Sequence, residues 1–277
     1  MTCRVFLATM LGTMPRLSAN LSFLWPDLPL LERFSAARRA GFDAVELLFP
    51  YDQSLPVLAE LLDGHGLQMV LINAPCGEWS RGERGFAAQP GEEAAFRGSI
   101  EQALTAADAL DVGCIHVMSG HLRSRTTDAS ELQMQVLLRN LQWAGDQARA
   151  AGRRITIEPL NVVDMPGYFL SSPDQALDVL QTLNHAAVGL QFDLYHQQRS
   201  RGEILLSLDR SRSRLFHIQV AGAPDRREPD LGELNVSRVF AHIDQMGYQG
   251  FIGCEYRPLR DTDSGLAWAK PYLSGAM

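Results

Sequence analysis

The stretch RRITIEPLNVVDMPGYFL, residues 153–170, decides the fold. Its first part alternates: Ile155 and Ile157 are apolar, Thr156 and Glu158 polar. A period of two marks a β-strand whose two faces meet different surroundings. The strand stops at Glu158-Pro159, and a loop of Asn, Asp, Pro and Gly follows. A carboxylate at the last position of a strand built for burial needs a partner, solvent or a proton. Left buried and unpaired, it costs several kcal/mol.

Outward from this stretch the same rhythm repeats. Strand-like segments at 16–22, 44–50, 67–75 and 114–120 precede it, and others at 188–196, 214–222 and 250–256 follow. Between them lie helix-like segments at 28–42, 54–66, 92–111, about 128–151, 172–184, about 197–209 and 236–247. Gly41 closes the first helix, and Ser172 before Pro173 is an N-cap signature. Residues 76–91 form a long Gly-rich loop, a length often reserved for function. The tail beyond 256 reads as partly helical. Eight βα units of about 35 residues with no linker predict an α/β protein, a single-domain (β/α)8 TIM barrel over residues 16–277. A doubly wound sheet is the alternative, but eight unbroken units favour closure. Residues 1–15 stand apart as a candidate N-terminal extension, with Met14 a candidate start.

Composition narrows the partners. The net charge is −7, and "RSRGE" and "DRSRSR" are short and mixed, so neither nucleic acid nor an anionic membrane is expected. Cys3, Cys76, Cys114 and Cys254 are scattered without a CxxC pair. Reduced, buried thiols in a cytoplasmic protein are expected, not a zinc site or a disulfide framework. No apolar run reaches the roughly 18 residues of a membrane span. The start MTCRVFLATMLGTM lacks a small-residue cleavage site, so a signal peptide is not expected. No Gly motif sits on a strand-to-helix turn, which argues against a nucleotide cofactor.

In a barrel, side chains alternate between the interior and the helices, and reactive groups collect at the C-terminal strand ends. In the fifth strand Thr156 and Glu158 then face inward; in the sixth, Gln191, Asp193 and Tyr195; in the seventh, His217 and Gln219; in the eighth, Gly253 and Glu255. The inward set at the top is Glu158, Asp193, Gln219 and Glu255. Three carboxylates and an amide cannot share a dry cavity without a counter-charge. Arg153, Arg154, Arg226 or Arg257 could neutralise one acid, but four oxygen donors of one parity point to a divalent metal. An all-oxygen set suits Mg²⁺ or Mn²⁺ better than Zn²⁺.

The segments IEPLNVVDMPGYFL, QFDLYHQQ, HIQVAGAPDRREPDLGELN and GYQGFIGCEYRP resemble the hydroxypyruvate isomerase family of xylose isomerase-like TIM barrels, which includes 2-oxo-tetronate isomerases. ANLSFLW, AGFDAVELLFPYD and GERG carry the likeness through the N-terminal half, so it runs from about residue 16 to 272. The resemblance implies the same metal ligands, Glu158, Asp193, Gln219 and Glu255, with Glu158 and Glu255 as the proton-transfer pair. The related sugar epimerases usually carry His where this chain has Gln219, which favours the hydroxypyruvate branch. The implied reaction interconverts hydroxypyruvate and tartronate semialdehyde (2-hydroxy-3-oxopropanoate) through an enediolate, with a 2-oxo-tetronate or a ketose as alternative substrate.

A small hydroxy-oxo acid carries a carboxylate, and Arg226 in GAPDRREP is the candidate to bind it in a bidentate fork. His196 at the mouth is a candidate to hydrogen-bond a substrate oxygen or Glu158, or simply ends the strand. Glu228 is expected to orient Arg226 or His196, and Arg84 in GERG (82–85) to reach the substrate from a lid. Glu46 has inward parity and reads as a supporting acid or a partner for His116, His217 as a core hydrogen-bonding residue, and Trp25 and Phe49 as pocket walls. A metal-dependent endonuclease on the same barrel would need extra His ligands and a basic surface, and a mere binding protein would not need two opposed glutamates. A homo-oligomer stays open.

Overall fold

The computed structural model describes residues 15–124 and 126–273. In them eight parallel strands pair in chain order until the last closes on the first. They are β1 (Arg16–Asn20), β2 (Ala44–Leu47), β3 (Gln68–Asn73), β4 (Cys114–His116), β5 (Arg154–Ile157), β6 (Val188–Asp193), β7 (Leu215–Val220) and β8 (Phe251–Cys254). The helices around them are α1 (Leu30–Arg39), α2 (Leu55–His65), α3 (Glu93–Ala109), α4 (Thr127–Ala150), α5 (Pro173–Leu183), α6 (Leu194–Ser200), α7 (Ile204–Ser211), α8 (Val236–Gln245) and α9 (Thr262–Gly265). The expected (β/α)8 barrel is therefore the fold. The β1–β8 ladder, from Arg16 opposite Phe251 to Ala19 opposite Cys254, rules out an open doubly wound sheet.

The period-two pattern divides each strand as expected. Ile155, Ile157, Leu190, Phe192, Ile218 and Ile252 are all at most 1% exposed. Burying each such side chain contributes about 1.5–3 kcal/mol. The other parity is polar: Ser18, Asn20, Glu46, Thr156, Gln191 and His217 are buried too. A barrel interior is usually filled with branched apolar side chains. Here it carries hydrogen-bonding groups, which must satisfy one another because water is excluded.

Two sequence expectations need correction. The sixth strand was expected to run to His196, but it ends at Asp193. The Asp193 carboxylate accepts a hydrogen bond from the Tyr195 amide at 2.8 Å and so caps α6, which starts at once. Tyr195 and His196 therefore project from a helix, not a strand. The single helix expected over about 197–209 is in fact two, because Gly202 (φ 68°) and Glu203 (φ 49°) take the left-handed conformation. Other details agree. Ser172 Oγ caps α5 by accepting from the Gln175 amide at 3.2 Å, with Pro173 in the first turn. Cys76, Cys114 and Cys254 are free and buried. No helix of the described residues is long and apolar enough to cross a membrane. Met14, Cys3 and nearly all of the suggested 1–15 extension lie outside the described residues.

The helix ring packs closely on the barrel at Gly145 of α4. A Cβ there would sit 2.7 Å from His185 and Val188. Gly98 of α3 faces open space instead. Gly145→Ala is expected to lower unfolding stability by about 1–3 kcal/mol through overpacking. Gly98→Ala should raise it by about 0.5–1 kcal/mol, because helical glycine carries excess chain entropy. Urea unfolding of both variants checks this; shifts of the same sign would contradict the packing.

Candidate active site

The strand ends deliver the acids to one mouth. Glu158 follows β5 directly, Asp193 is the last residue of β6, and Glu255 follows β8. Cross-strand register sets Asp193 beside Gln219, and Gln219 beside Gly253. Glu158, Asp193 and Glu255 are 5%, 4% and 7% exposed. Burial first, then the neighbouring Asp193 and Glu255 charges, push the Glu158 carboxyl well above its ordinary range. Burial likewise raises Asp193, and it pushes Glu255 up to about 8 against the pull of Arg226.

Arg226 supplies the local counter-charge. Its Nη2 pairs with Glu255 Oε1 and lies 3.6 Å from Asp193 Oδ2. The guanidinium is held between Phe23 and Tyr195, about 5 Å from each ring. Burial alone would weaken its charge, but Glu255, Asp193 and Glu158 outweigh that and raise its proton affinity. Its backbone adopts φ 54°, a left-handed conformation unusual for a long side chain. Such strain collects where a side chain must be aimed.

Asp193 divides its labour. Oδ1 caps α6, while Oδ2 is buried with no hydrogen-bond partner among the described residues. An oxygen in that position is a ready cation ligand. Ligand-capable atoms of Glu158, Asp193 and His196 all lie within 4.8 Å of one another. The two carboxylates of this cluster fit a divalent metal, with His196 beside them.

His196 is pinned in one tautomer. Asn161 Oδ1 accepts from the amides of Val163 (3.1 Å) and Asp164 (2.9 Å), which turns its Nδ2 towards His196 Nδ1 at 2.7 Å. The Asn161 backbone amide donates to the same Nδ1 at 3.1 Å. Nδ1 is thus an acceptor, and burial, with help from Arg226 and His116, holds the ring neutral. The proton must sit on Nε2, which lies 3.7 Å from Asp193 Oδ2.

Beneath the mouth, Gln219 is fully buried. Its Nε2 donates to Glu255 Oε2 at 2.5 Å and to Glu46 Oε2 at 3.0 Å; its Oε1 accepts from Gln191 Nε2 at 2.8 Å. Asn20 Nδ2 also donates to Glu255 Oε2, at 3.1 Å. The cavity above holds about 150 Å³. Its polar side includes Glu158, Glu255, His196, Arg226 and His116; its apolar side includes Phe23, Phe49, Trp79, Met118, Leu160 and Met165.

Other sequence candidates fall elsewhere. Glu228 is buried, but both its oxygens accept from the Leu259 amide (3.0 and 3.2 Å), so it braces two loops and touches neither Arg226 nor His196. Arg84 stacks on Trp79 at 3.5 Å and lines a neighbouring cavity with His121 and Arg123. Trp25 packs on Phe42 and bonds Asp263 through Nε1 at 2.8 Å, so only Phe49 of the two expected walls lines the cavity. Glu46 bonds His217 at 2.8 Å, not His116, which stands 3.6 Å from Glu158. Burial, then His217, takes His116 down to about 3, so that ring is neutral. Sequence reasoning missed Trp79, Asn161 and Asn20. Trp79 lies in the long Gly-rich loop, whose length was the available signal; Asn20 shares the inward parity of Ser18 on β1, and Asn161 lies in a loop that carries no such signal.

Known proteins share the fold and much of the sequence. The profile of the xylose isomerase-like TIM barrel family matches residues 34–272. The 2-oxo-tetronate isomerase of Cupriavidus necator is 45% identical over 261 residues, covering 94% of this chain and 99% of its own. The hydroxypyruvate isomerase of Escherichia coli is 36% identical over 259 residues, covering 94% and 100%. A solved Brucella melitensis structure, described as an AP endonuclease of family 2, superposes with a TM-score of 0.92 at 41% identity, over 94% of this chain and all of that one. At such coverage and identity to two curated isomerases the chain is an isomerase. With its closed eight-stranded ring and near full-length match, it belongs to the xylose isomerase-like TIM barrel family.

Proposed function

We propose that this isomerase acts on a short α-hydroxy-oxo acid, interconverting hydroxypyruvate and 2-hydroxy-3-oxopropanoate. The observation that carries the reading is the pair of buried glutamates, Glu158 and Glu255, on a small cavity that also holds Arg226. In the forward direction one glutamate takes a proton from the hydroxymethyl carbon. The other returns a proton to the former carbonyl carbon, and a hydroxyl proton shifts between the two oxygens. The raised proton affinities of both acids suit groups that must hold and release protons near neutrality. A four-carbon 2-oxo-tetronate is the second reading. It is favoured by the higher identity to the Cupriavidus relative, 45% against 36%.

Arg226 binds the substrate carboxylate, and the Nε2 proton of His196 is donated to a substrate oxygen as charge develops there. Phe49, Trp79 and Met118 exclude water from the opposite side. The unpartnered Asp193 oxygen and the crowded carboxylates support a divalent cation, Mg²⁺ or Mn²⁺, held by Glu158, Asp193, Gln219 and Glu255. Such an ion polarises adjacent carbonyl and hydroxyl oxygens as a Lewis acid. His196 contributes a donor rather than a ligand, because its free lone pair is engaged by Asn161. The net charge of −7 suits a small metabolite of the cytoplasm better than nucleic acid or a membrane, and so favours the isomerase over an endonuclease.

Proton NMR in D₂O reads the reaction directly. Glu158→Gln and Glu255→Gln are each expected to lower kcat by about 10²–10⁴-fold, with solvent deuterium no longer entering the product. Either variant at wild-type rate would remove that residue from the proton path. Chelator treatment should abolish turnover and added Mg²⁺ or Mn²⁺ restore it; full activity in EDTA would exclude the cation. Glyceraldehyde and dihydroxyacetone, which lack the carboxylate, should react at least about 10²-fold more slowly than hydroxypyruvate, and Arg226→Gln should shrink that preference.

A further inference from the structure

Under the catalytic glutamates lies a carboxylate that the proposed reaction does not use. Glu46 is fully buried at the end region of β2 and accepts four hydrogen bonds. Ser18 Oγ (2.7 Å) and His217 Nε2 (2.8 Å) reach Oε1; Gln219 Nε2 (3.0 Å) and Asn20 Nδ2 (3.4 Å) reach Oε2. The donors come from β1 and β7, across the barrel interior. Two features of the backbone make room for this acid. The β2–β3 register slips between Val45 and Glu46, and Gly253 of β8 leaves the space in which a Cβ would stand 2.1 Å from Glu46 Oε1.

We propose that Glu46 is a positioning residue: it holds the Gln219 amide with nitrogen towards Glu255 and oxygen towards Gln191, leaving that oxygen's second lone pair for the cation. The chain of donors fixes the direction. Thr156 Oγ1 donates to Gln191 Oε1 at 3.1 Å, and Gln191 Nε2 donates to Gln219 Oε1 at 2.8 Å. Nothing in that run is ionised, and the Thr156 hydroxyl can rotate, so the two amides could flip together. Two carboxyl groups hold them, Glu46 and Glu255. Glu255 faces the cavity and shares its other oxygen with Arg226, whereas every contact of Glu46 lies inside the barrel, which leaves Glu46 as the lasting anchor. An acceptor-only group is required, because any donor in its place would meet the Gln219 nitrogen head-on. Asn20 needs no such anchor, since its Oδ1 already accepts from the Ser22 amide at 3.0 Å.

The inference rests on the cation reading above, and two variants separate it from a packing role. Glu46→Gln keeps the shape but presents a donor; Glu46→Asp keeps the charge but leaves a gap. Titration calorimetry with Mn²⁺ alone, on the full chain, is expected to show wild type tightest, Asp weaker, and Gln weakest by at least about tenfold. The kcat values should fall in the same order. A structural filler predicts the reverse, with the isosteric Gln better than Asp in both readouts, and that order would overturn the proposal. Side-chain amide NMR of the metal-free protein gives an independent reading, because the Gln219 resonances should move in Glu46→Gln. Unmoved resonances together with wild-type Mn²⁺ affinity would also overturn it. Wild-type protein that binds no Mn²⁺ would instead sink the cation reading, and the order of kcat would then decide the role of Glu46.

Discussion

Like charges cannot be buried together without compensation, and this molecule buries three carboxylates at one mouth. Much of its local architecture answers that constraint. Arg226 is brought into the centre on a left-handed backbone and wedged between Phe23 and Tyr195. Asp193 has one oxygen tied to a helix start. Glu255 takes two neutral amides on Oε2 and the guanidinium on Oε1. These devices stabilise negative charge in part, yet leave Asp193 Oδ2 without a hydrogen-bond partner among the described residues. A site fully satisfied from within would have nothing left to offer a cation or a substrate.

The barrel makes this possible through its interior. Polar side chains from β1, β2, β5, β6 and β7 form a connected floor, from Thr156 through Gln191 and Gln219 to Glu46. A fully connected buried network rigidifies, whereas a partly connected one destabilises. The floor therefore carries two loads at once. It replaces the apolar filling that most barrels use, and it sets the donor and acceptor directions that the mouth inherits.

Much of this was legible before any coordinates. Alternation in RITIE gave strand and face together, and applying it to four strands placed Glu158, Asp193, Gln219 and Glu255 on the inward side. Periodicity reports the face of a strand; it does not report height, rotamer or partner. That is why Glu46 was paired with His116 in the sequence reading, while in space His217 stands opposite. It is also why Glu228, near Arg226 in sequence, reaches the other way to Leu259. The end of β6 was misplaced for a local reason. Asp193 reads as an inward strand residue and is also a helix cap, and a run such as LYHQQ fits either element until the cap decides. Arg84 and Trp79 sit in one loop, yet only Trp79 turns to the cavity, because the guanidinium stacks on its ring from behind.

The placement of Arg226 joins recognition to chemistry in the proposed reaction. Its guanidinium already pairs with Glu255, so a substrate carboxylate must compete for it. The exchange replaces one charge-assisted pair by another, and the gain in binding is correspondingly small. What changes is Glu255. Without its cationic partner that carboxyl, which burial raises against the pull of Arg226, would hold a proton more tightly. Binding energy from the non-reacting end is thus converted into reactivity at the reacting carbon and does not appear as affinity. On the proposed reading, a ligand of the same shape without a carboxylate would leave Arg226 on Glu255, so discrimination would fall on turnover more than on occupancy.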